Sequence, residues 1–191
     1  MILLAKIGIV VGSLRKESYS KKIAKNVAEL LPHNCTAELI EIGGLPLYSE
    51  EYDDNPPAEY RTFRTQVKGC DAILFVTPEY NRSIPGVLKN ALDVGSRPYG
   101  QSVWAGKPAA IISQSVGNLG GFGSNHHLRQ VLTFLDMPAL QQPEAYLADS
   151  SSLFDGSGRI KNQDTVQYLQ GFVNAFLELI ERYQLDKVPV Y

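Results

Sequence analysis

The chain has 191 residues, of which 44% are hydrophobic, 20% charged and 9% aromatic, the composition of an ordinary globular protein rather than a disordered, fibrous or membrane one. A chain of this length buries about 70% of its unfolded surface, so a single domain over 1–191 can be stable without disulfides or metal. The 18 basic and 20 acidic residues leave a net charge of −2, which gives no electrostatic footprint for nucleic acid and requires any anion site to be local. Cys35 and Cys70 stand alone, with no Cys-x-x-Cys pair and no zinc spacing, which points to a reduced, cytoplasmic setting. The apolar run 1–11 meets Gly12-Ser13 without an Ala-x-Ala pattern, and no stretch reaches transmembrane length, so neither export nor membrane insertion is expected.

Residues 7–11 form a continuous apolar run, as expected of a strand covered on both faces. Ile23, Ala24, Val27, Ala28, Leu30 and Leu31 recur at three-to-four spacing, which predicts a helix over 18–31 stopped by Pro32. A shorter strand is read over 37–42. The connection 43–57, with Pro46, Tyr48, Tyr52, Pro56 and Pro57, is long enough to call for a function. A helix over 59–68, a buried strand over 72–77 ending at Pro78, and a helix over 84–94 with Pro85 in its first turn follow. An irregular stretch over 95–106 carries Tyr99 and Trp104. A strand over 109–113, a glycine-rich segment over 117–123 and a helix over 124–135 come next, then a short fifth strand near 139–141. After the Ser- and Gly-rich loop 149–158, Val166, Leu169, Phe172, Val173, Phe176, Leu177 and Ile180 predict a long amphipathic closing helix.

Five apolar strands alternating with helices indicate βα units around a parallel sheet. The simplest arrangement is an α/β, flavodoxin-like three-layer sandwich whose five-stranded parallel sheet has the order 2-1-3-4-5. Ligands of such sheets lie beyond the carboxyl ends of the strands, so the three loops that follow strands one, three and four should converge on one crevice.

The first of these loops carries Ser13, Arg15, Ser18, Tyr19 and Ser20 into a helix N-terminus, where unpaired backbone amides, hydroxyls and a guanidinium suit a dianionic phosphate. Alternatively, Ser18 only caps the helix and Arg15 is solvated. The loop is neither a Walker A nor a Gly-x-Gly-x-x-Gly sequence, which disfavours ATP and Rossmann dinucleotides. The second loop, with Pro78, Glu79, Tyr80, Asn81 and Ser83, sets a rigid turn, an aromatic and several polar groups together, the edge a planar heterocycle needs; taken singly it could be only a turn. In the third, Ser115, Val116 and Gly117 lead into glycines that let backbone approach a ring system, though a plain flexible loop would look similar. A phosphate site at one end and a flat polar ring at the other fit flavin mononucleotide (FMN).

At these residues the chain resembles the NADPH-dependent FMN reductase family, flavodoxin-fold enzymes that include quinone, azo-dye and chromate reductases. The resemblance rests on Gly-Ser-Leu-Arg at 12–15, Pro-Glu-Tyr-Asn at 78–81 with Ser-Ile-Pro-Gly-x-Leu-Lys-Asn-Ala-Leu-Asp at 83–93, and the glycine loop, and it covers roughly 5–146. It implies that Ser13, Arg15, Ser18 and Ser20 hold the phosphate, with Ser20 standing where the family usually has Asn. Pro78, Glu79, Tyr80, Asn81 and Ser83 would border the isoalloxazine, and Ser115, Val116 and Gly117 its pyrimidine end.

The function so implied is a ping-pong relay in which NADPH or NADH gives hydride to bound FMN and a quinone or similar small acceptor (FMN, an azo compound, a metal oxyanion) takes its place. The cofactor carries that chemistry, so no catalytic side chain and no metal are required. Glu79 reads as a residue that holds its loop by hydrogen bonds. His126 and His127 are adjacent on a helix, so they diverge and cannot form an i, i+4 metal pair. The alternative is a flavodoxin-like electron carrier without NAD(P)H reactivity, which a net charge of −2 disfavours for lack of a docking field. The aromatic stretches at 48–60 and 99–104 are read as lying near the site and suggest a homodimer, or a homotetramer, whose second subunit completes it.

Overall fold

The structure is a computed structural model and describes residues 4–185. Its sheet holds β1 (Ala5–Val11), β2 (Cys35–Ile40), β3 (Ala72–Pro78), β4 (Ala109–Gln114) and β5 (Ala145–Leu147) in the order β2-β1-β3-β4-β5, every pair parallel. The helices are α1 (Tyr19–Ala28), α2 (Ala58–Lys68), α3 (Gly86–Ser96), α4 (Phe122–Phe134) and α5 (Gln163–Leu185). This is the flavodoxin-like α/β arrangement expected from the alternating pattern.

Successive residues of a strand face opposite sides, and the continuous apolar runs supply both layers. Ile7, Ile9 and Val11 pack with Ile23 and Val27 of α1 and Leu169, Phe172 and Phe176 of α5. Val10, Ile73, Phe75 and Ile111 turn the other way, onto Phe63 of α2, Leu88 and Leu92 of α3, and Leu128 and Leu132 of α4. Among the described residues no helix is long and apolar enough to cross a membrane.

The fifth strand corrects the sequence expectation. Residues near 139–141 make only a single parallel bridge, Ala139 opposite Ala109, closed by Ala109 N–H to Pro138 O at 2.9 Å and Leu140 N–H to Ala109 O at 2.8 Å. Pro143 has no N–H to continue a ladder, and pairing resumes only at Ala145, opposite Ile112. Smaller shifts have equally local causes: α1 starts after its cap Ser18 and stops at Ala28, and Pro85 is the N-cap of α3 rather than a first-turn residue.

The long connection 43–57 is strapped onto α3 and the stretch behind it. Asn90 accepts from Tyr48 N–H at 2.8 Å and donates to Pro46 O at 2.9 Å, and Arg97 clasps the Asp53 carboxylate with Nε at 2.9 Å and Nη2 at 2.6 Å. That carboxylate holds the Arg97 guanidinium above its ordinary value. Two of the aromatics read as bordering the site are core residues instead: Tyr60 and Trp104 are buried, and Trp104 Nε1–H donates to Leu92 O at 2.9 Å between Phe63 and Phe75.

Candidate functional site

At the end of β1, Gly12 N–H donates to Val76 O at 2.9 Å, and any Cβ at Gly12 would stand 2.8 Å from Thr77 Oγ1. The chain therefore runs flush against β3 before turning into α1. Ser18 caps α1, its Oγ accepting from Lys21 N–H at 3.2 Å, which leaves its hydroxyl proton to donate. The amides of Tyr19 and Ser20 open the helix, where no intrahelical acceptor exists. Ser13, Ser18 and Ser20 are buried, and Arg15 is exposed. Tyr19 turns its ring onto Phe154, stacked at 6.1 Å, with Lys22 Nζ 5.9 Å from both rings and the Arg15 guanidinium 6.0 Å from Tyr19. Two cations thus flank the helix start, and the 149–158 loop is pinned against it.

After β3, Tyr80 and Ser83 exchange backbone hydrogen bonds of 2.9 and 3.0 Å around Asn81 (φ 51°) and Arg82 (φ 64°). This is a two-residue turn with both central residues left-handed, the geometry that Asn-Gly usually fills. Glu79 holds the turn as expected: Oε1 accepts from Arg82 Nη1 at 2.8 Å and Oε2 from Ser124 N–H of α4 at 3.2 Å. Tyr80 and Asn81 are exposed, and Ser83 Oγ lies 2.6 Å from His127 Nδ1.

After β4, Ser115 N–H donates to Leu147 O and its Oγ accepts from Gly117 N–H, both at 3.1 Å. Val116 and Gly117 are exposed. Gly120 and Gly121 have φ of 57° and 77°, and a Cβ there would meet the Tyr146 and Gln114 backbone within 3.0 Å. Glycine is obligatory on both counts. Beside this loop His126 packs on Phe122 at 4.2 Å and meets Tyr146 OH at 3.0 Å. Burial first, then the Glu144 carboxylate, pushes the Tyr146 phenol well above its ordinary range.

The three loops converge through side chains. Gln114, the last residue of β4, donates from Nε2 to Ser20 Oγ at 3.0 Å, joining positions 94 apart. Its Oε1 and the hydroxyl of Ser150 are the buried side-chain oxygens left without a partner among the described residues. Ser150 N–H donates to Ser115 O at 3.1 Å, so both oxygens adjoin the third loop. An unpaired buried oxygen costs about 1–3 kcal/mol, and in a native fold it marks a place where a ligand or solvent completes the bonding. Sequence reasoning missed both residues. Gln114 carried one usable signal, its place at the carboxyl end of a buried strand; Ser150 carried none inside a Ser-rich loop. A cleft of about 380 Å³ between Leu140 and Arg182 borders none of the three loops. Among the described residues no group of three or more His, Cys, Asp or Glu could share a metal ion.

The family model described as NADPH-dependent FMN reductase matches residues 5–151. The chain belongs to this family. It is 54% identical over 176 residues to a quinone reductase of Pseudomonas putida, covering 92% of this chain and 94% of that one. It is 50% identical over 171 residues to a 2-hydroxy-1,4-benzoquinone reductase of a Burkholderia species, with 90% and 93% covered. Among solved structures, FerB of Paracoccus denitrificans, a flavoenzyme NAD(P)H:(acceptor) oxidoreductase, superposes with a TM-score of 0.88 at 36% identity, covering 94% of this chain and 98% of that one.

Proposed function

We propose that the crevice holds FMN and that the protein is an NAD(P)H-dependent oxidoreductase, passing hydride from NADPH or NADH to quinones and similar small acceptors. The observation that carries this reading is the Gln114–Ser20 bond, which makes the start of α1 and the end of β4 one site. The donor set suits the cofactor. The first-turn amides of α1, the hydroxyls of Ser13, Ser18 and Ser20, and the charge of Arg15 meet the needs of a dianionic phosphate, with Tyr19 backing the loop. Gln114 Oε1 and Ser150 Oγ stand ready for the hydroxyls and polar edges of the remainder. Pro78, Glu79, Tyr80, Asn81 and Ser83 border the flat ring, and Ser115, Val116 and Gly117 offer backbone to its pyrimidine end.

When bound, FMN supplies the hydride chemistry that no side chain provides. The protein's part is to hold and orient, so donor and acceptor use one place in turn, in ping-pong order. Tyr80, Val116, Leu119 and Phe122 expose apolar surface on the second and third loops and the start of α4, which supports a homodimer or homotetramer that covers it. A cytoplasmic setting accords with Cys35 and Cys70, both buried and unpaired, whose thiols burial pushes above the ordinary value.

The test is the visible spectrum of FMN-loaded, desalted protein under anaerobic conditions. The retained flavin band should bleach on adding NADPH and return on adding menadione. A retained band that NADPH leaves unchanged would instead make the protein an electron carrier.

A further inference from the structure

Ser83 and His127 form a pair that the fold does not need. Ser83 Oγ and His127 Nδ1 are 2.6 Å apart across 44 positions. The backbone of Ser83 is already satisfied in both directions by Tyr80, and Glu79 already ties the turn to α4 through Ser124 N–H. His127 is exposed and can exchange protons with water, while Ser83 is half-buried in a loop that borders the proposed ring site. The other charged side chains on these elements are committed elsewhere: Glu79 to Arg82, Lys89 to Asp93, His126 to Tyr146, and Arg129 to Asn125 and Leu140 O.

Reduction of a quinone balances as NADPH + H⁺ + quinone → NADP⁺ + hydroquinone, so one proton must reach an acceptor oxygen besides the hydride. Resting on the reading above, we propose that Ser83 and His127 deliver that proton. The Ser83 O–H bond breaks as its proton passes to the quinone oxygen. Ser83 Oγ takes the proton from Nδ1 of the imidazolium, and neutral His127 regains one from water. A one-electron acceptor such as ferricyanide needs no proton and bypasses the pair.

FMN-loaded wild type, His127→Gln and Ser83→Ala are compared with menadione and with ferricyanide. Glutamine keeps a hydrogen-bonding partner for Ser83 but cannot release a proton. The ratio of menadione to ferricyanide turnover should fall by about 100-fold in each variant, the low end for a positioned acid. In flavin-free protein, the Nδ1 signal of His127 followed by NMR should shift on Ser83→Ala, because that nitrogen loses its hydrogen-bonding partner. A ratio unchanged in His127→Gln, or a His127 Nδ1 signal indifferent to Ser83, would overturn the relay. Wild-type protein whose flavin band NADPH does not bleach would overturn the functional reading itself and the relay with it, a result distinct from the first two.

Discussion

Arg82 adopts φ 64° without being glycine, which costs an L-residue roughly 1–2 kcal/mol. Its compensation is an ion pair with Glu79 at 2.8 Å from a side chain that is 71% exposed, and such pairs contribute about 0–1 kcal/mol. Arg82→Gly should therefore raise the urea midpoint slightly, and a clear loss of stability would show that the pair outweighs the strain. Gly95 is the opposite case. A Cβ there would lie 2.5 Å from Trp104 Cε2, on an indole fixed by its bond to Leu92 O. Gly95→Ala should cost about 1–3 kcal/mol by overpacking, read from the fluorescence of this single tryptophan during unfolding. Neither effect was visible in the sequence. Asn81-Arg82 reads as a turn but not as a turn of this hand, and nothing in the irregular run 95–106 says that Trp104 faces inward.

Single elements depend on one or two side chains at their ends. Ser18→Ala removes the cap of α1 and should lower stability by about 1 kcal/mol, while also weakening FMN retention on desalting; unaltered retention would leave Ser18 a cap and nothing more. The loop 149–158 is organised by Asp155, whose Oδ1 accepts from Ser157 N–H at 2.8 Å, Ser157 Oγ at 2.7 Å and Arg159 N–H at 3.0 Å. The Ser157 side-chain bond, followed by the backbone ones, holds this carboxyl below its ordinary value. Because the native value is the lower one, the stabilisation is complete above about pH 4 and is lost as pH falls through the native value. NMR titration of the Asp155 carboxyl should give a midpoint below that of an unstructured aspartate; an ordinary midpoint would mean the turn is not held this way. Helices and central strands were legible because their apolar spacing is set by burial on known faces. The fifth strand was misplaced because pairing with β4 stops after the bridge at Ala139 and resumes only at Ala145, beyond Pro143, which has no amide to pair.

For the whole molecule, strand order and the convergence of three loops could be read from the sequence, because parallel connection fixes which strand ends are neighbours. The sequence did not reveal how the loops are locked together: Gln114 to Ser20, Glu79 to α4 and Tyr19 to Phe154 are contacts between distant positions with no local signature. Sedimentation should give two or four times the protomer mass, and a protomer mass at working concentration would leave the apolar rim uncovered and the assembly reading wrong. The divided strand at the β5 edge bears on how copies can meet. With only Ala139 and, after a gap, Ala145–Leu147 paired against β4 among the described residues, and prolines at 138 and 143, that side of the sheet offers an incoming strand no unbroken row of amides. Edge-to-edge joining of sheets between copies is disfavoured at that border, and the continuous six-residue edge of the sheet is the opposite one, β2.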